Sequence, residues 1–138
     1  MPDVDINLLA VLVAALVSII LGFVWYGPLF GKTWMQLSGF TAKDMEKAKK
    51  KGMTKTYILM IIGTLVSSYV LAHFVDYLQA TDFNGALQAG FWLWLGFIAP
   101  VQLGIVLWEG KPWTLYFINV AYYLVNLILM ATILAVWV

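Results

Sequence analysis

Residues 7–26 form a run without one charged side chain, and three further runs, at about 56–77, 85–108 and 112–138, are nearly as apolar. At 1.5 Å per residue, each covers the roughly 30 Å of hydrocarbon in a bilayer. This pattern predicts an all-α integral membrane protein: a four-helix transmembrane bundle, built as a single domain, with the lipid bilayer as its solvent. Composition agrees, since 63% of the residues are hydrophobic and only 11% charged, against roughly 25% charged in soluble domains. A chain of 138 residues leaves no room for a separate soluble catalytic module, so any chemistry must come from transmembrane side chains and short loops. The opening M-P-D-V-D is acidic where a secretory signal is basic. The run behind it is longer than a signal core, so it is expected to remain as the first helix.

The charges are segregated along the chain. All eight lysines, Lys32, Lys43, Lys47, Lys49, Lys50, Lys51, Lys55 and Lys111, lie between the first and second runs or between the third and fourth. Lysine-bearing loops stay in the cytoplasm. The first and third loops are therefore expected inside, both termini outside, and the protein in the cytoplasmic membrane as a multi-pass chain. Loop 27–55 is expected to be amphipathic and charged. It opens with Leu29, Phe30, Trp34, Met35, Leu37 and Phe40, which suit the headgroup layer. Thr41 then stands three residues before Asp44, and Gly52 follows Lys51, so 42–51 reads as a short capped helix. Lys43, Lys47, Lys49, Lys50, Lys51 and Lys55 serve chiefly to enforce topology, and they are also the residues placed to contact anionic lipid. Without a glycine-rich phosphate loop or a recognition module they give no sign of nucleic acid.

Within the spans, Ala10, Ala14, Ser18 and Gly22 recur every fourth residue, a helix-packing seam of small side chains. Counting depth from the cytoplasmic edge puts Ser18, Gln102, Asn119 and Thr64 about 9 to 13 Å in, and Asn126, Ser68 and the carbonyl of Gly96 about 18 to 21 Å in. These form a candidate polar intramembrane site in two layers. Pro100 has no amide to give Gly96, so a kink is expected there. A buried amide costs a few kcal/mol unless bonded, about what one hydrogen bond recovers, so Gln102 and Asn119 are expected to pair. His73 and Asp76, at i and i+3, form a candidate ionisable pair near the outer headgroups. The turn 109–112 is too short for anything but antiparallel neighbours. The chain has no cysteine, which excludes thiol catalysis and thiolate metal sites, and no metal or cofactor is expected.

Trp25-Tyr26-Gly27-Pro28-Leu29-Phe30-Gly31-Lys32 with Trp34-Met35, Trp94-Leu95-Gly96-Phe97, Trp108-Glu109-Gly110, and Tyr123-Leu124-Val125 with Met130 resemble the domain of unknown function 1761 family, small four-helix bacterial membrane proteins. The resemblance spans nearly the whole chain and departs at Ala131, where the family pattern has glycine. It implies four spans and no established activity, so no catalytic residue carries over.

Three functional readings follow. In the first, small and polar stripes on several helix faces exceed what one four-helix interior uses, so the chain is expected to form a homo-oligomer and to act as a structural or accessory membrane subunit. In the second it is a small transporter or channel, with Gln102, Asn119 and Asn126 along a polar path. The third, a membrane enzyme like the four-helix glutathione-dependent family, ranks last because that family holds its anionic cofactor with arginines and this chain has none.

Overall fold

The computed structural model describes residues 4–137. Four helical segments in it are long and apolar enough to cross a membrane: Leu8–Leu29, Thr54–Tyr77, Phe83–Leu107 and Trp113–Val136. The first is an α-helix, α1, Leu8–Val24, capped by the Asn7 side chain, which accepts from the amides of Leu9 and Ala10. It does not stop at residue 26, where the first uncharged apolar run was placed, but continues through Gly27-Pro28. A π turn, Trp25–Leu29, carries it one turn further, closed by Phe30 N donating to Trp25 O at 2.9 Å. Proline ends an α-helix because it removes one amide and crowds a carbonyl four residues back, and a bond reaching five residues back bypasses both.

The first loop holds two helices, α2, Gly31–Ser38, and α3, Ala42–Lys51. The cap read from Thr41 and Asp44 is present in both directions: Thr41 N donates to Asp44 Oδ2 at 2.9 Å and Asp44 N donates to Thr41 Oγ1 at 3.2 Å. Gly39, at φ +78°, and Gly52, at φ +88°, end the two helices in backbone regions that side chains disfavour. The bond from the Thr41 amide, then that from its hydroxyl, and Lys47 nearby hold the Asp44 carboxyl below its ordinary value of 3.8. Because the folded value is the lower one, the cap contributes fully above the ordinary value and is lost as pH falls through the folded one. The amide proton of Thr41 is expected to titrate with a midpoint below 3.8, read by NMR, and Asp44→Asn to remove that transition.

The second span is α4, Thr54–Tyr77; the third is broken into α5, Phe83–Phe97, α6, Ala99–Gln102, and α7, Gly104–Leu107; the fourth is α8, Trp113–Val136. The break surrounds Pro100, as expected, and its consequence falls three residues beyond Gly96. Leu103 N bonds Pro100 O rather than the carbonyl a full α-turn back, which frees Ala99 O to accept the Tyr116 hydroxyl at 2.8 Å. Gly96 itself lies on the exposed face.

The hub is α8, which packs on α5, α1 and α4, while α4 and α5 scarcely touch although they are consecutive. Gly90 meets Ile128, Trp94 meets Val120 and Ala99 meets Tyr116, so the third and fourth spans run antiparallel. The same holds for α1 and α8, where Tyr26 meets Asn119 and Gly22 meets Tyr122. Ala14 on α1, Ala86 on α5 and Ala131 on α8 are fully buried, because in lipid helices gain by close approach rather than by excluding water. Met130 is the largest fully enclosed side chain, and its unbranched thioether fills the gap these alanines leave.

Candidate intramembrane site

Most of the polar contacts between spans converge on one segment of α8. From the π turn, Trp25 Nε1 donates to Ile118 O at 3.2 Å and the Tyr26 hydroxyl to Asn119 Oδ1 at 2.8 Å. From α5, Trp94 Nε1 donates to Val120 O at 2.7 Å. A backbone carbonyl carries two lone pairs, so a helical one can take an indole proton as well as its own amide. In hydrocarbon these donors find no water, and each such contact contributes roughly 0.6 to 2 kcal/mol.

The π turn aims these side chains. Gly31, buried at its exit, has no room for a Cβ, which would stand 2.6 Å from the carbonyl oxygen of Tyr26. The motif 25–32 is therefore one device, with the aromatic pair as donors and the glycine as the close approach that lets the chain turn. Rings stack around it: Tyr26 lies 5.2 Å from Tyr122 and 6.0 Å from Trp34, Trp25 lies 6.1 Å from Tyr122, and Tyr122 lies 5.3 Å from Tyr123. The Tyr122 hydroxyl lies against α1 beside Gly22 and Ser18.

The residues singled out by depth are distributed as follows. The expected partner of Asn119 was Gln102, but its side-chain oxygen takes Tyr26 instead, and among the described residues no hydrogen bond joins Gln102 to Asn119. Gln102 is half-buried in α6. Thr64 bonds Met60 O in its own helix at 2.8 Å, whereas Ser68, fully buried, donates across to Val11 O on α1 at 2.9 Å. Asn126 Oδ1 is buried without a partner. In the seam, Ala10, Ala14 and Ser18 are buried and Gly22 lies against the Tyr122 hydroxyl. The His73 ring donates through Nδ1 to Tyr69 O, one turn back, and meets the Tyr69 ring edge-on at 4.7 Å; its bonded partner is not Asp76, which is exposed.

What depth counting missed is a cavity of about 720 Å³ at the end of the bundle where α4 and α8 finish and α1 begins. Asp5 and Asp76 line it with Gln79 and Thr81, and Ala10, Ala72 and Ala135 contribute its apolar lining. One turn below Ala72, the Ser68 bond to Val11 joins α4 to α1, and the buried Ala14, Met130 and Ala131 lie deeper still. No group of three metal-ligating side chains occurs among the described residues.

Four apolar spans whose interior polar groups largely bond one another define a polytopic helical membrane protein. The chain belongs to the family described as protein of unknown function (DUF1761), whose family model matches residues 9–135. That match includes the aromatic turn and the α8 segment that accepts from it. No curated protein and no solved structure matches the chain.

Proposed function

We propose that the protein is a self-associating structural or accessory subunit of the cytoplasmic membrane, with both termini outside and the first and third loops in the cytoplasm. The observation that carries this reading is the fate of the polar groups. Tyr26, Asn119, Ser18, Tyr122, Trp25, Trp94, Ser68 and Tyr116 are used in contacts between helices, which makes them adhesive rather than available. Small groups also face outward at mid-span: Gly63 has open space where a side chain would be, and Ser67 is exposed on the same face. A second copy approaching along that face covers groups that lipid leaves bare. Lys43, Lys47, Lys49, Lys50, Lys51 and Lys55 contact anionic headgroups of the inner leaflet in this arrangement.

Native mass spectrometry of protein released from nanodiscs is expected to show two or more subunits. Monomers at every protein-to-lipid ratio would refute the reading.

The outer cavity and the unpaired Asn126 oxygen favour a second reading, a small solute transporter. Under it Asn126→Leu abolishes solute uptake into liposomes. Under the structural reading the same change leaves assembly intact and removes an unsatisfied buried acceptor.

A further inference from the structure

We infer that α3 is a lipid-dependent arm, whose Lys43–Lys47–Lys50 face binds phosphate-bearing anionic headgroups and lies down on the bilayer only where such lipids are present. The inference rests on the cytoplasmic placement of the first loop proposed above. Spacing of four and three residues puts these three lysines on one side of the helix. All three are exposed, while Met45 and Ala48, on the opposite side, are half-buried. The helix carries five lysines against Asp44 and Glu46, a net charge of three positive.

Two features of the fold set where this charge can go. Among the described residues α3 makes no substantial contact with any other helix, so nothing in the bundle neutralises it. Its ends are nevertheless tied close to the membrane. Lys111 Nζ, two residues before α8, donates to Ser38 O at the end of α2 at 2.8 Å. Only residues 39–41 then lead into α3, and only 52–53 lead out of it to α4. Three residues reach at most about 10 Å. The screening length at physiological salt is about 8 Å, so both ends of the arm stay within reach of the surface potential. Each lysine held near an anionic leaflet favours the bound position by about fivefold, and a net charge of three by about a hundredfold. An acidic soluble protein offers the same sign of charge, but the tethers favour a partner that lies in the plane of the bilayer.

The chain lacks cysteine, so a nitroxide attached at Ala42→Cys reports on α3 alone. In phosphatidylcholine nanodiscs the label is expected to be mobile. In discs containing equal phosphatidylglycerol it is expected to be slow and shielded from a water-soluble relaxant, reverting to mobile in about 0.5 M salt, where the screening length has shrunk. The triple variant Lys43→Gln, Lys47→Gln, Lys50→Gln is expected to stay mobile in both. Identical spectra in the two lipids, or slowing of the triple variant to the wild-type extent, overturns the inference. So does slowing by soluble polyglutamate on phosphatidylcholine discs in the absence of any response to phosphatidylglycerol, which assigns the face to an acidic protein. Failure of the orientation reads out separately: the same cysteine would react with an impermeant maleimide from outside intact cells.

Discussion

Gly90→Leu is expected to separate α5 from α8 and to lower resistance to unfolding in a sodium dodecyl sulfate titration by about 3 kcal/mol or more. A Cβ at Gly90 would already stand 3.1 to 3.2 Å from the Cγ1, Cα and N of Ile128. Two of those atoms belong to a helix backbone and cannot rotate away, so the whole of α5 must move. The movement also loosens the Trp94 bond to Val120, one turn further along. The third span rests chiefly on α8, and no other helix is placed to compensate. Gly90→Ala is expected to show a smaller loss, about 1 to 3 kcal/mol. An unchanged midpoint for both variants would mean that the two backbones do not meet at this point.

Gly31→Ala is the second large effect, because its added methyl meets backbone, the carbonyl of Tyr26, at 2.6 Å. The π turn has to open, and Trp25 and Tyr26 turn away from Ile118 and Asn119. The expected loss is about 2 to 4 kcal/mol, the overpacking cost together with the bonds released. Tyr26→Phe isolates one of those bonds. It keeps the ring and leaves the Asn119 oxygen without its hydroxyl donor, for an expected loss of about 1 to 3 kcal/mol. Gly31→Ala is expected to lose at least as much stability as Tyr26→Phe, since it releases that bond along with the one from Trp25. Equality with the wild type would refute this account.

The spans and the capped helix α3 were legible because each depends on local sequence. Hydropathy over twenty residues needs no tertiary information, and the Thr41–Asp44 cap closes within four residues. Position along a span can be counted from the sequence, but direction around it cannot. Gln102 and Asn119 sit at similar depths on adjacent helices, which makes them reasonable partners on paper. The break at Pro100 shifts the phase of the helix around Gln102, and the π turn extends the first span so that Tyr26 arrives at Asn119 instead. Trp25 and Tyr26 stand at the end of the 7–26 run, and only the three-dimensional turn reveals them as donors. The motif 25–32 carried the one available hint, since a glycine three residues after a proline suggests a tight approach. The cavity at the end of the bundle left no local signature, because it is bounded by the ends of three separate helices.

The place of α8 as hub has a consequence in time. A ribosome delivers these spans in order, and the helix that accepts from Trp25, Tyr26 and Trp94 emerges after all three donors are already in the bilayer. The first and second spans can join early through Ser68 and Val11. The third has little to hold on to until residues 113–136 follow it. The order of the chain thus divides the contacts in two: those of the first pair of spans, complete by residue 77, and those that close the bundle, which require the last fifth of the sequence.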